Sequence, residues 1–175
     1  DNIDVDYAKS KGILVINTPA SSSVSVAEMV MAHVYSIYRN IHNSNRLMPL
    51  EGETKFKDLK KAFGKAYELR GKTMGIIGFG RIGREVAKLA IGSGMNVIVF
   101  DRSTKEADVT VSFFDGQSLT FHFDIKSFDE VIQNADVITI HVPSQDKYLF
   151  SAEEFAKMKD KSVIVNTARG GVIKE

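Results

Sequence analysis

Gly78, Gly80 and Gly83 stand in the order Gly-x-Gly-x-x-Gly, directly after the apolar run Thr73-Met74-Gly75-Ile76-Ile77. Each glycine has a job in a turn that meets a phosphate. Gly78 permits a tight reversal, Gly80 lets backbone approach a pyrophosphate, and Gly83 lets the following helix lie close to the strand. That helix then turns its free N–H groups on the anion. A second apolar run, Asn96 to Phe100, ends on Asp101. A carboxylate there can accept from both hydroxyls of an adenosine ribose and repels a 2′-phosphate, so NAD is favoured over NADP. Arg102 follows directly and pulls the other way. Two further runs end on chemistry-bearing residues: His141-Val142-Pro143, and Asn166-Thr167-Ala168-Arg169-Gly170-Gly171. Arg169 could fork a substrate carboxylate and polarise a neighbouring carbonyl oxygen, as hydride transfer to a 2-keto acid requires. It could equally cap its own loop or pair with a surface acid.

These residues need a parallel sheet to position them. Ile82, Val86, Leu89 and Ala90 recur at helical spacing after the glycines. Val137-Ile138-Thr139-Ile140 and Val163-Ile164-Val165 are short apolar runs, each preceded by a Ser-x-x-Glu capping box, at Ser127–Glu130 and Ser151–Glu154. Strands alternating with helices, apolar on both faces, imply an α/β fold. We expect a Rossmann-type doubly wound parallel sheet with an inserted β-hairpin. The hairpin comes from two β-rich runs, 109–114 and 117–123, around a two-residue Asp115-Gly116 turn. Ligands of such sheets bind at the carboxyl ends of the strands.

Upstream, Asp4 to Lys11 reads as a helix stopped by Gly12, and Ile13 to Ile16 as a short strand ended by Pro19. Ser25 with Glu28 predicts a capping box opening a long helix to His42. Val26, Val30, His33, Ile37 and Ile41 line one face; Ala27, Met31, Val34 and Tyr38 line another. Two apolar faces imply burial on both sides, between domains or subunits. Residues 44–69 read as a long polar connection with a short helix at 56–63. His33 reads as a packed or interface residue, His42 as the end of its helix, and His122 as exposed on the hairpin. A naive reading would make His141 a proton donor.

The chain has 175 residues, with 23 basic and 22 acidic for a net charge of +1. That balance argues against a nucleic-acid surface. Without cysteine there is neither a disulfide framework nor a Cys-ligated metal, and no histidine or carboxylate spacing suggests a metal site. The lack of cysteine suits a reducing, cytoplasmic setting; no apolar run reaches the length of a membrane span and no signal peptide is evident, so no membrane partner is expected. Both ends read as cuts through a larger protein.

Several separate stretches together resemble one family, the D-isomer-specific 2-hydroxyacid dehydrogenases. They are Asp1-Asn-Ile-Asp4, Asn17-Thr-Pro19, Ser25-Val-Ala-Glu28, the run from Gly71 to Gly83, His141-Val-Pro143, and Val165-Asn-Thr-Ala-Arg-Gly-Gly171. The resemblance implies two domains: residues 1–20 as a remnant of the substrate domain and its crossover, and 21–175 as the NAD-binding domain. It implies NAD as cofactor and a small 2-hydroxy or 2-keto acid as substrate, with 3-phosphoglycerate the best match. By the family's motifs, Arg81 and Ile82 would place N–H groups on the pyrophosphate, and Asp101 would hold the ribose. His141 and Pro143 would line the cofactor cleft. Thr167, Ala168 and Arg169 would flank the nicotinamide, with Arg169 catalytic. The long helix would join a homodimer. The family's catalytic glutamate and proton-donating histidine would fall beyond residue 175, so this stretch alone should bind NAD without turnover. The departures are Ser22 where Asn is common, Lys174 in place of an acid, the hairpin, and the long 44–69 connection. An NAD-sensing scaffold and a glyoxylate- or formate-type enzyme are the alternatives.

Overall fold

The computed structural model describes residues 3–144 and 146–175; Asp1 and Asn2 of the first family motif lie outside it. The centre is a parallel sheet of β1 (Thr73–Ile77), β2 (Asn96–Phe100), β5 (Val137–Ile140) and β6 (Val163–Asn166), in the order β2-β1-β5-β6. Side chains alternate across it. Met74, Ile76, Val99, Val137 and Val165 face a core closed by α2 (Ser23–Tyr38) and α4 (Arg81–Gly92). Ile77, Ile138 and Ile140 face a second core with Val131 and Ile132 of α5 (Phe128–Asn134), and Phe155 of α6 (Ala152–Lys157) meets Phe150 beside it. Helices on both faces bury both sides of the strands, which is why those runs carry so few polar residues.

The hairpin is β3 (Glu106–Ser112) with β4 (Ser118–Asp124), paired antiparallel. Its apolar root, Ala107, Val109 and Phe123, packs into the first core, while Phe113, Phe114 and Leu119 at the tip stay exposed. Just past it Ile125 pairs parallel with Val99, adding one step to the sheet beside β2. The turn is longer than the two residues expected. Phe113 donates to the Gln117 carbonyl at 2.8 Å, leaving Phe114-Asp115-Gly116 as the loop, with Gly116 at φ +86°. A left-handed third residue is what a three-residue hairpin loop requires.

The upstream half departs further from its sequence reading. The helix α1 (Val5–Ser10) forms, with Asp4 accepting the Tyr7 N–H at 2.9 Å and Gly12 at φ +73°. Residues 13–16 are not a strand: no described strand pairs with them, and Leu14 and Ile16 lie exposed. The helix α2 starts two residues before Ser25, with Ser22 as N-cap. Ser25 makes no capping box; its hydroxyl donates back to the Ser22 carbonyl at 3.0 Å. Asn40, left-handed at φ 54°, ends α2 early and redirects the chain. His42 therefore opens α3 (Ile41–Phe63) instead of closing α2. Most of the expected 44–69 connection is this 23-residue helix, bent at Lys55 and carrying Pro49; the short helix expected at 56–63 is its part beyond the bend. Leu47, Met48, Glu51 and the lysines favour helix strongly enough to outweigh Pro49 and Gly52. On α2 itself, Ala27, Val30, Met31, Val34 and Tyr38 are buried, whereas His33 and Ile37 are exposed in the single chain.

Candidate functional site

A cleft of about 570 Å³ opens at the carboxyl end of the sheet, lined by Pro19, Ser23, the Phe79-Gly80-Arg81-Ile82 turn, Arg84, Asp101-Ser103-Thr104 and His141. Gly78 sits behind it at φ +94°, and a Cβ there would lie 2.7 Å from the His141 carbonyl oxygen. Nothing lies within 4 Å of the Cβ direction of Gly80, so that side of the turn is open to a ligand. At Gly83 a Cβ would meet the Gly78 carbonyl oxygen, so helix and strand touch backbone to backbone. Gly80 is the N-cap of α4, and no side chain caps it. The first N–H groups of α4 thus face the cleft with the positive end of the helix dipole behind them.

Asp101 stands beside this turn. Its Oδ2 accepts the Phe79 N–H at 2.8 Å, and its Oδ1 accepts the N–H and hydroxyl of Ser103 at 2.8 and 2.7 Å. Burial works to raise its pKa, but the hydrogen bonds from Ser103, Phe79 and Thr104 outweigh it and hold the pKa below the ordinary value. The residue is a carboxylate at neutral pH. Its link to Phe79 fixes the distance between the acid and the glycine turn.

Among the described residues, three buried side-chain polar atoms lack a hydrogen-bond partner: Ser23 Oγ, His141 Nδ1 and Thr167 Oγ1. All three lie at this end of the sheet, where strand ends meet the start of α2. An orphaned buried polar group costs about 1–3 kcal/mol; two of these residues, Ser23 and His141, line the cleft. Ser23 was not legible in the sequence. The three-serine tract before the helix was the available signal, but burial of its last member arises only when α2 packs. His141 Nε2 is 2.9 Å from Thr139 Oγ1. Burial lowers its pKa to about 4, so the ring is neutral at pH 7 and not the imidazolium a general acid would need.

Pro143, Thr167, Ala168 and Arg169 follow β5 and β6 but do not line this cleft. Asn166 shapes their loop: its side-chain oxygen accepts the Ala168 N–H and its amide donates to the Arg169 carbonyl, both at 3.0 Å. The exposed Arg169 guanidinium donates to the Ala168 carbonyl at 2.9 Å. The structure thus brings Gly80, Arg81, Ile82, Asp101 and His141 together, with Gly78 and Gly83 directly behind, and leaves the second strand-end cluster beside them. Among the described residues no group of His, Asp or Glu could hold a metal, and no helix is long and apolar enough to cross a membrane.

A parallel sheet with an uncapped helix N-terminus and an acidic strand end defines a dinucleotide-binding domain. Residues 31–175 match the D-isomer specific 2-hydroxyacid dehydrogenase family, NAD binding domain. The chain belongs to this family, whose members are oxidoreductases, and NAD is its cofactor. It is similar to the hydroxypyruvate reductase of Thermotoga maritima, 43% identical over 177 residues that cover 100% of this chain and 52% of the relative. The D-3-phosphoglycerate dehydrogenase of Methanocaldococcus jannaschii is 41% identical, covering 100% of this chain and 31% of the relative. Among solved structures, an NAD-dependent formate dehydrogenase from Staphylococcus aureus in complex with NAD matches with a TM-score of 0.72 at 30% identity, over 99% of this chain and 48% of that one. The chain therefore spans about half the length, or less, of these relatives.

Proposed function

We propose that the chain is the NAD-binding part of a dehydrogenase acting on D-2-hydroxy acids with a glycerate skeleton, with 3-phosphoglycerate, oxidised to phosphohydroxypyruvate in serine synthesis, the first candidate. The observation that carries the cofactor half is the convergence, in one cleft, of the open Gly80–Ile82 turn, the Asp101 carboxylate and the orphaned polar groups of Ser23 and His141. The substrate half rests on likeness to a hydroxypyruvate reductase and a phosphoglycerate dehydrogenase, whose named substrates share that skeleton.

When bound, NAD supplies the hydride acceptor, and NADH the donor, at C4 of the nicotinamide. The N–H groups of Arg81 and Ile82 bind the pyrophosphate, and the Ser23 hydroxyl satisfies its hydrogen bond there. Asp101 accepts from the adenosine ribose. A carboxylate has about four acceptor positions, so the Ser103 hydroxyl, a free rotor, gives up its place to a ribose hydroxyl. His141 and Thr167, with Pro143 and Ala168, border the nicotinamide side. Arg169 turns from the Ala168 carbonyl to fork the substrate carboxylate and polarise the C2 oxygen. His141, held neutral by burial, is not the proton donor.

Residues 1–20 belong with a second, substrate-binding domain in this reading, which accounts for exposed Leu14 and Ile16. The exposed Met29, Ile37 and Ile41 supply the surface of a cytoplasmic homodimer. The test, on the intact enzyme that carries these residues as its NAD-binding part, is NADH oxidation, followed at the reduced-nicotinamide band, with phosphohydroxypyruvate, hydroxypyruvate and glyoxylate in parallel. Phosphohydroxypyruvate should give the highest kcat/KM. Glyoxylate as the best substrate would overturn the glycerate-skeleton assignment. An Arg169→Lys enzyme with unchanged turnover would remove Arg169 from the chemistry, because an ammonium cannot make the two-pronged contact.

A further inference from the structure

The hairpin reaches the cofactor turn from behind. Phe79, the residue between Gly78 and Gly80, is almost fully buried. Its ring and that of Phe123 of β4 meet edge to face, with centroids 5.5 Å apart and planes at 71°. The Arg84 guanidinium lies over the same ring, 5.2 Å from its centroid, and its Nη1 donates to the Asp108 carbonyl of β3 at 2.7 Å. Both hairpin strands therefore hold one phenylalanine, directly from β4 and through Arg84 from β3. The backbone N–H of that phenylalanine is the group that anchors Asp101 Oδ2. The hairpin is itself fixed to the sheet edge, since Ile125 pairs with Val99 and Lys126 donates to the Val99 carbonyl at 2.8 Å. Phe123 does not line the cleft, so whatever it does for a ligand it does through Phe79.

We propose that the hairpin positions the cofactor: Phe123, with Arg84, sets Phe79 and thereby the spacing between the glycine turn and the Asp101 carboxylate that the adenosine diphosphate portion of NAD must span. Phe123 is a positioning residue and touches no ligand. The inference rests on the assignment of the turn and Asp101 to NAD. An edge-to-face pair of this geometry is worth about a two- to tenfold change in an equilibrium constant.

The experiment is calorimetric titration of NAD into the 175-residue chain and its variants. Phe123→Leu should weaken NAD about three- to tenfold, and Phe123→Tyr, which keeps the aromatic ring, should restore it. Thermal unfolding by circular dichroism guards against misfolding of the Phe123→Leu variant, whose Tm should stay high enough for it to be folded at the titration temperature. Phe114→Ser at the exposed tip should bind as the parent does. In an Asp101→Asn background the Phe123→Leu loss should shrink to about twofold or less, because the two act on one contact; a general loosening would leave it undiminished. A parent that binds NAD and a Phe123→Leu variant that binds equally well would overturn the hairpin's role alone. So would a loss that persists in full without Asp101. A parent that takes no NAD would overturn the assignment of the cleft itself.

Discussion

Gly83→Ala should weaken both the fold and the cofactor site. The new Cβ would sit 2.3 Å from the Gly78 carbonyl oxygen and 3.2 Å from Ile76 Cγ2. Ordinary carbon contacts begin about 3.5 Å apart, so α4 must back away by roughly 1 Å. The obstructing atom is backbone, and no rotamer change relieves it. Overpacking of this kind costs about 1–3 kcal/mol, and a fixed backbone partner puts it at the upper end. Alanine returns up to about 1 kcal/mol through its better helix propensity. The net loss of about 2 kcal/mol lowers Tm by about 4–8 °C in a domain of this size. The retreat also carries the Arg81 and Ile82 N–H groups out of line. Losing one hydrogen bond to a charged phosphate is worth about 1.5–3 kcal/mol, or at least tenfold in NAD affinity. Gly92→Ala in the last turn of the same helix is the control, since nothing lies within 4 Å of its Cβ; it should leave NAD affinity alone and hold or raise Tm. Thermal unfolding by circular dichroism and calorimetric NAD titration read both effects. A Gly83→Ala protein with unchanged Tm and unchanged affinity would refute the close helix–strand contact as the basis of the site.

Ser23→Ala should leave the free protein as stable as the parent or slightly more stable, because it removes a buried unpartnered hydroxyl. It should bind NAD about three- to tenfold more weakly, which titration and unfolding with and without NAD will separate. His141 and His122 should titrate in opposite directions by NMR of their ring nitrogens. Burial lowers His141 to about 4, so the unfolded chain, near 6.5, binds more protons between those values. Stability from this group is full above about pH 6.5 and is lost toward pH 4, by roughly 3 kcal/mol in all. His122 is raised by its hydrogen bond to Asp108, with Glu106 and Asp124 adding to it. The folded state holds its proton longer, so that contribution is present below pH 6.5 and is lost as pH rises through the folded pKa. A His141 that titrates near 6.5 would show that its ring is not buried.

What the sequence made legible follows the locality of each signal. The strands carrying Ile76, Val99 and Ile138 are apolar on both faces, and the glycine turn combines a strand, three spaced glycines and a helix. Each of these is readable within a dozen residues. The Ser127–Glu130 box is equally local, and both halves of it form, with Glu130 accepting from the Ser127 N–H and hydroxyl. Ser25 and Glu28 carry the same letters and no box, because the start of α2 is set by where Ala27, Val30 and Val34 must meet the sheet. Residues 13–16 have the pattern of a strand, and no described strand pairs with them. The kinked α3 hid behind Pro49 and Gly52, which are read as breakers one residue at a time although propensity sums over the whole segment. Ser23 was missed for a related reason: a serine declares a binding role only once packing has taken its alternatives away.

The two halves of the site differ in readiness. On the side assigned above to adenosine, the Phe79 N–H holds Asp101 Oδ2 at 2.8 Å beside the uncapped N-terminus of α4. Little ordering cost remains there, and preorganisation of this kind raises affinity by lowering what binding must supply. On the other side, Arg169 is exposed and bonded to its own loop, and Thr167 Oγ1 waits without a partner. Contacts made there must first turn a guanidinium and seat a loop. The adenosine diphosphate portion should therefore carry most of the affinity of NAD for this domain, with ADP-ribose binding nearly as tightly as NAD in the same calorimeter. If ADP-ribose bound a hundredfold more weakly, the nicotinamide side would be the preformed half, and the closed network around Asp101 would have to be read as structural.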